Sequence, residues 1–134
     1  LFTNTYPTSK RVSECNDLID QLRLKLEMKD YRIAKMYYRM EDYAASITGF
    51  TNILKDYPDT PHKEELLYLI VKSYYRYAKE SIEEKQKDRY AKVILAYNDL
   101  VTLYPQSKYQ AEAADLKVKS AGDLELLKQK PVKK

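Results

Sequence analysis

Proline placement constrains this chain more than any other feature. Three of its five prolines stand in one recurring word, Tyr-Pro-x-[Ser/Thr]: Tyr6-Pro7-Thr8-Ser9, Tyr57-Pro58-Asp59-Thr60 and Tyr104-Pro105-Gln106-Ser107, spaced 51 and 47 residues apart. Proline cannot continue a helix and pushes the preceding residue out of the α region. The Ser or Thr two positions later can accept a backbone N–H and cap the next helix. Each word therefore reads as a helix stop followed at once by a helix start. Thr60 is followed by Pro61, which suits a first helical position, and Ser107 with Gln110 reads as a capping box. The likeness extends upstream: Tyr43-Ala44 and Tyr90-Ala91, Ile47 and Ile94, Phe50 and Tyr97 align without gaps at an offset of 47.

Between the words the apolar spacing is helical. Val12, Cys15, Ile19, Leu22, Leu26, Ile33, Met36 and Met40 fall three or four apart, interrupted only by Lys29. That spacing predicts one long helix over about 10–40, roughly 45 Å at 1.5 Å per residue. It makes Cys15 a buried structural thiol. Further helices are expected over about 43–56 (Ala44, Ile47, Phe50, Ile53 and Leu54 inward), 61–82 (Leu66, Leu67, Ile70, Val71, Tyr74) and 87–103 (Tyr90, Val93, Ile94, Tyr97, Leu100, Val101). A fifth starts near 108 with Ala111, Ala114, Val118 and Ala121 inward, its end weakened by Gly122. Tyr74 to Pro105 is ten residues longer than Tyr37 to Pro58, so the second hairpin is lengthened, with its turn expected near Glu83–Asp88.

Lys29 to Pro58 resembles the tetratricopeptide pattern position by position. Small Ala34 and Ser46 stand where two helices approach, Tyr37 and Phe50 occupy the large aromatic positions, and Pro58 closes the unit. Ile53 replaces the usual small residue, which implies looser packing there. The fold expected is all-α, a tetratricopeptide-like array of helical hairpins (a right-handed α-solenoid) of about five helices. Residues 1–128 form its C-terminal repeat domain, an excised part of a longer protein, and 129–134 form a basic disordered tail. An exposed apolar edge is expected at the N-terminal end.

Little chemistry is on offer. Only two glycines occur, so no Gly-rich phosphate loop is formed, and no metal-ligand spacing is present. His62, the lone histidine, reads as an exposed surface residue. The carboxylate pairs Glu41–Asp42, Glu64–Glu65 and Glu83–Glu84 lie on different helix faces. The net charge of +4 is spread among 24 basic and 20 acidic residues, without the aromatic-interleaved stripe of a nucleic-acid binder. No run of 18 apolar residues spans a bilayer. No catalytic, cofactor or metal site is expected. Tyr37, Tyr43, Tyr57, Tyr90, Tyr97 and Tyr104 hold repeat-equivalent core positions. Tyr38, Tyr68, Tyr75, Tyr77 and Tyr109 fit the inward stripes less well and are candidates for protein contact or for covering neighbouring helices.

Leu22-Arg23-Leu24-Lys25-Leu26-Glu27 through Ala34-Lys35-Met36-Tyr37, then Tyr43-Ala44-Ala45-Ser46-Ile47-Thr48-Gly49-Phe50 and Asp56-Tyr57-Pro58-Asp59-Thr60-Pro61, resemble the C-terminal half of the BamD family, outer-membrane lipoproteins of the β-barrel assembly machinery. The resemblance runs from Tyr6-Pro7 to about Ala114. It implies a non-catalytic scaffold at the periplasmic face of the outer membrane, tethered by a lipidated cysteine upstream of Leu1. Its implied partners are periplasmic domains of the BamA-like barrel-forming subunit and accessory assembly lipoproteins. There is no nucleic acid among them, and the membrane is met only through that anchor. The chain departs from the family at Glu41, where Gly is common, and at Met40 and Gly49, where basic residues are common. An ion pair through position 49 is ruled out. Arg39, Glu41, Asp42, Thr48 and Asn52 are the expected contact residues near that surface, with Tyr75 a further candidate. Another periplasmic tetratricopeptide adaptor of envelope or cell-division coordination is the alternative, and a cytoplasmic co-chaperone a more distant one.

Overall fold

A computed structural model describes residues 8–129. The first Tyr-Pro pair (Tyr6-Pro7) and residues 130–134 of the basic tail lie outside the described residues; Gln129 still belongs to a helix. Among the described residues there are five helices and no strand: α1 Thr8–Arg39, α2 Tyr43–Asp56, α3 Lys63–Glu80, α4 Glu83–Leu103 and α5 Gln110–Gln129. Each helix packs on the next, and α3 also meets α5, the neighbour-only connectivity of a helical repeat.

The two described Tyr-Pro words are structurally equivalent. Tyr57 caps the C-terminus of α2, its N–H donating to Ile53 O at 2.8 Å, and Tyr104 caps α4 through Leu100 O, also at 2.8 Å. Thr60 Oγ1 then accepts from His62 N at 3.2 Å, and Ser107 Oγ from Tyr109 N at 3.1 Å. Both hydroxyls thus bond two residues ahead and close a turn. The helices begin only at Lys63 and Gln110, so Pro61 belongs to the turn rather than to the first helical position, and the expected box between Ser107 and Gln110 is replaced by this shorter bond. The second word is tied down further, because Ser107 Oγ donates to Glu64 Oε2 at 2.7 Å and Lys108 N–H to the same oxygen at 3.3 Å.

Helix α3 is the middle of the stack. Leu66, Leu67, Tyr68, Leu69, Ile70 and Val71 are all buried in succession, which a helix achieves only with neighbours on several sides. Two small-residue approaches set the spacing around it. A Cβ at Gly49 would stand 2.8 Å from Ala34 Cβ, so Gly49, facing Ala34, lets α2 close on α1. Ser46 does not serve that contact. It is fully buried against α3, its Oγ 3.4 Å from Ser73 Oγ and bonded to Tyr43 O. Ile53 is 2% exposed and well packed, against the expectation of looseness.

Successive hairpins are joined by a repeated aromatic clamp. The Tyr31 ring stacks on His62 with centroids 4.3 Å apart, and its hydroxyl donates to Glu65. Tyr68 stacks on Tyr109 at 4.5 Å, and its hydroxyl donates to Glu112. His62 and Tyr109, like Glu65 and Glu112, are 47 residues apart. His62 is therefore a half-buried packing residue rather than an exposed one. Burial first, then these carboxylates, push the Tyr31 and Tyr68 phenols above their ordinary range, and burial with Asp123 pushes Tyr90 up to about 12. An unfolded tyrosine titrates near 10. The protonated phenols hence contribute stability that is complete below about pH 10 and lost as pH rises from there through the folded values. Thermal melts followed with absorbance at 295 nm should show a level Tm from pH 7 to 9 and a fall above pH 10. Ionisation of all fourteen tyrosines near pH 10 with the fold intact would refute the clamp.

Several expectations from spacing are corrected. The lengthened hairpin turns at Ser81–Ile82, and Glu83–Asp88 is the first part of α4. Its ten extra residues are helix, divided between the end of α3 and α4. In α5 the inward residues are Ala113 and Ser120, with Leu116, Leu124 and Leu127 against the core, whereas Ala111 is exposed and Val118 is 68% exposed. Helix α5 continues past Gly122 to Gln129. Ala44 faces solvent. Tyr38, not Tyr37, is the α1 aromatic against Phe50 and Tyr43, at 6.4 and 5.7 Å. Along α1, Ile19 is 60% exposed and Met40 64%, with Val12, Leu22 and Leu26 similar and Cys15 also exposed. The stripe that reads as core is an open apolar edge, and Cys15 is not a buried thiol.

Candidate functional site

The α1–α2 connection is a tight corner built around one unusual backbone position. Glu41 N–H donates to Tyr38 O at 3.0 Å and Asp42 N–H to Tyr37 O at 2.9 Å, the paired bonds of a Schellman motif whose turn residue adopts the left-handed region. That residue is Glu41, with φ 63°, the one non-glycine residue of positive φ among those described. Asp42 then caps α2, its Oδ1 accepting from Ala45 N at 3.2 Å. A Cβ in the left-handed region costs about 1–2 kcal/mol, offset in part by the greater unfolded-state freedom of glycine. Glu41→Gly should accordingly stabilise the fold by about 1 kcal/mol in urea denaturation. An unchanged or lower midpoint would refute the strain.

From the corner, an open groove of about 670 Å³ runs along α1 and α2. Ile33, Ala34 and Tyr37 form its α1 wall; Ala45, Thr48, Gly49 and Asn52 form its α2 wall. Asp30, Asp42 and Asp56 also line it, with no basic residue among the lining side chains. Asp30 accepts weakly from Tyr57 OH at 3.4 Å, and Asp42 is occupied as the cap. Arg23 steadies the far end: its guanidinium donates to Asp56 O at 3.2 Å, sits 3.7 Å from Asp59 and lies 5.3 Å from the Tyr57 ring centre. Leu26 lies seven residues before Ile33, on the same helix face, so the groove continues into the open apolar edge of α1.

Of the residues expected to make contacts, Asp42, Thr48 and Asn52 line this groove, and exposed Arg39 and Glu41 stand at its corner. Tyr75 does not belong with them. It is 8% exposed, held edge-on to Tyr90 at 6.4 Å in the α3–α4 core, and is unavailable to a partner. Sequence reasoning missed Ile33, Tyr37 and Asp30 as groove residues. Their apolar spacing was legible, but it marks a buried face equally well. A second groove of about 350 Å³ lies between α3 and α4, lined also by Thr51 and Leu54 of α2.

Among the described residues no group of three or more His, Cys, Asp or Glu side chains could hold a metal ion, and no helix is long and apolar enough to cross a membrane. An open groove with an apolar floor, polar walls and an acidic rim can bury a partner's apolar side chains and attract positive charge. A family model described as "YfiO: Outer membrane lipoprotein" matches residues 1–90, which include α1, α2, α3 and the whole groove. No curated protein matches the chain.

Proposed function

Since the chain belongs to the YfiO family of outer membrane lipoproteins, the family of BamD, we propose that it is a non-catalytic docking subunit of β-barrel protein assembly. In this reading the α1–α2 corner and groove engage the periplasmic domains of the BamA-like barrel-forming subunit, and accessory assembly lipoproteins join the complex elsewhere. The protein works at the periplasmic face of the outer membrane, held there by a lipidated cysteine outside residues 1–134; Cys15, inside α1, is not that anchor.

The observation that supports the reading is the gathering of Arg39, Glu41, Asp42, Thr48 and Asn52 on one open corner of a family-matched segment. Thr48 and Asn52 are exposed, so replacing them tests contact without disturbing the core. With purified periplasmic domains of the barrel subunit, Thr48→Arg combined with Asn52→Arg should weaken binding at least about tenfold, equivalent to about 1.4 kcal/mol. Glu125→Arg on the exposed face of α5 should leave it unchanged. Absence of binding by the folded wild-type chain, or equal binding by the groove variant, would remove this reading.

A further inference from the structure

The groove between α1 and α2 has a counterpart one repeat later, and a third helix borders the counterpart. Ile33 and Tyr37 of α1 correspond to Ile70 and Tyr74 of α3, 37 positions on; Thr48 and Asn52 of α2 correspond to Leu95 and Asp99 of α4, 47 positions on. The first set lines the open groove and the second lines the α3–α4 groove. The α3–α4 groove, itself about 350 Å³ of open space, has α2 along one side: α2 brings Thr51 and Leu54 to its wall and packs along α3. The same surface thus occurs twice in this chain, once bordered by an amphipathic helix and once, among the described residues, without one.

The two copies differ in charge. At the positions of Leu67 and Lys92 in the α3–α4 groove, the α1–α2 groove has Asp30 and Ala45. One apolar residue becomes an acid and the single lysine is lost, leaving three aspartates and no basic residue in the lining. Charge at the edge of an apolar contact selects partners more than it strengthens them.

We propose that the α1–α2 groove receives a basic amphipathic helix of the partner protein, lying along α1 as α2 lies along α3. Apolar side chains of the incoming helix enter over Ile33 and Tyr37, and its lysines or arginines meet Asp30 and Asp56. The inference rests on the docking reading above and names the element the groove recognises.

Fluorescence anisotropy with the full chain tests it, using three 16-residue helical peptides that share one leucine stripe and differ only in flanking Lys, Gln or Glu. The Lys peptide should bind, the Gln peptide more weakly, and the Glu peptide not measurably. Asn52→Trp, which fills the groove, and Asp56→Lys, which removes its acid, should each weaken the Lys peptide about tenfold. Lys92→Glu at the α3–α4 groove should change nothing, with circular dichroism showing each variant folded. Binding that ignores flanking charge or the two groove variants would overturn the proposal. So would failure of all three peptides while the barrel subunit's periplasmic domains still bind, a result that leaves the docking reading standing. Conversely, Lys-peptide binding without binding of those domains sustains the helix site and removes the named partner. A dimer of the chain that Asn52→Trp dissociates would assign the groove to a second copy and also overturn the proposal.

Discussion

Phe50→Asp is expected to unfold the α1–α2 hairpin, at a cost of roughly 4 kcal/mol or more. Phe50 has no exposed surface and belongs to one core with Ala34, Ile53 and Leu66. The substitution removes an aromatic ring from that core and leaves a carboxylate with no partner there. Most domains hold only 5–15 kcal/mol in all, and a repeat array distributes its share among neighbouring units. Loss should therefore be regional. Hydrogen exchange protection should vanish across α1 and α2, decline in α3, and persist longest in α4 and α5. Thr51→Asp, one residue away but exposed, should shift stability by no more than about 0.5 kcal/mol. Unchanged thermal melting of the Phe50 variant would mean that α2 does not pack on this face.

The second large effect concerns the join between the α3–α4 hairpin and α5. Helix α5 has few buried residues of its own, Ala113 and Ser120, and Ser120 Oγ is buried without a hydrogen-bond partner. Its attachment leans on Tyr68, whose ring stacks on Tyr109 with planes 7° apart and whose hydroxyl bonds Glu112. Tyr68→Ala should cost roughly 3–5 kcal/mol, the range for deleting a buried aromatic ring, and free α5 to exchange its amides. Tyr68→Phe keeps the stacking and loses one hydrogen bond to a carboxylate that is otherwise exposed, about 1 kcal/mol. If the Ala variant left α5 as protected as in the wild type, or if Phe cost as much as Ala, the clamp would not be what holds the hairpins together.

Helix boundaries were legible in the sequence because local chemistry sets them. Pro58 and Pro105 cannot lie inside a helix, and the hydroxyls of Thr60 and Ser107 offer the bond that restarts the chain. These effects act within four residues and need no tertiary partner. The repeat offset of 47 was legible for the same reason, and it leads correctly to the paired caps at Tyr57 and Tyr104. The turn at Ser81–Ile82 carries no such signal. Polar residues from Lys79 to Arg89 suit exposed helix as well as loop, so the turn was expected too late.

Faces were less legible. The stripe from Val12 to Met40 has core spacing, yet whether an apolar face is covered depends on a neighbouring helix, and among the described residues most of that face has none. In α5 the alternating alanines make several helical faces nearly equivalent, and the inward one was displaced by two residues. Tyr75 illustrates the same limit: an aromatic outside the expected stripe becomes core because α3 is enclosed by α2, α4 and α5.

The groove shows both halves of the matter. Asp42, Thr48 and Asn52 were reachable through family resemblance. Asp30, Ile33 and Tyr37 join them because α1 lies beside α2, with Ala34 facing Gly49. Sequence alone determined that the chain breaks at its two described Tyr-Pro words and that its hairpins repeat, since proline sterics and hydroxyl capping are short-range. Tertiary structure alone decided which apolar faces are buried and which copy of the groove a third helix borders, since burial depends on what stands opposite a side chain.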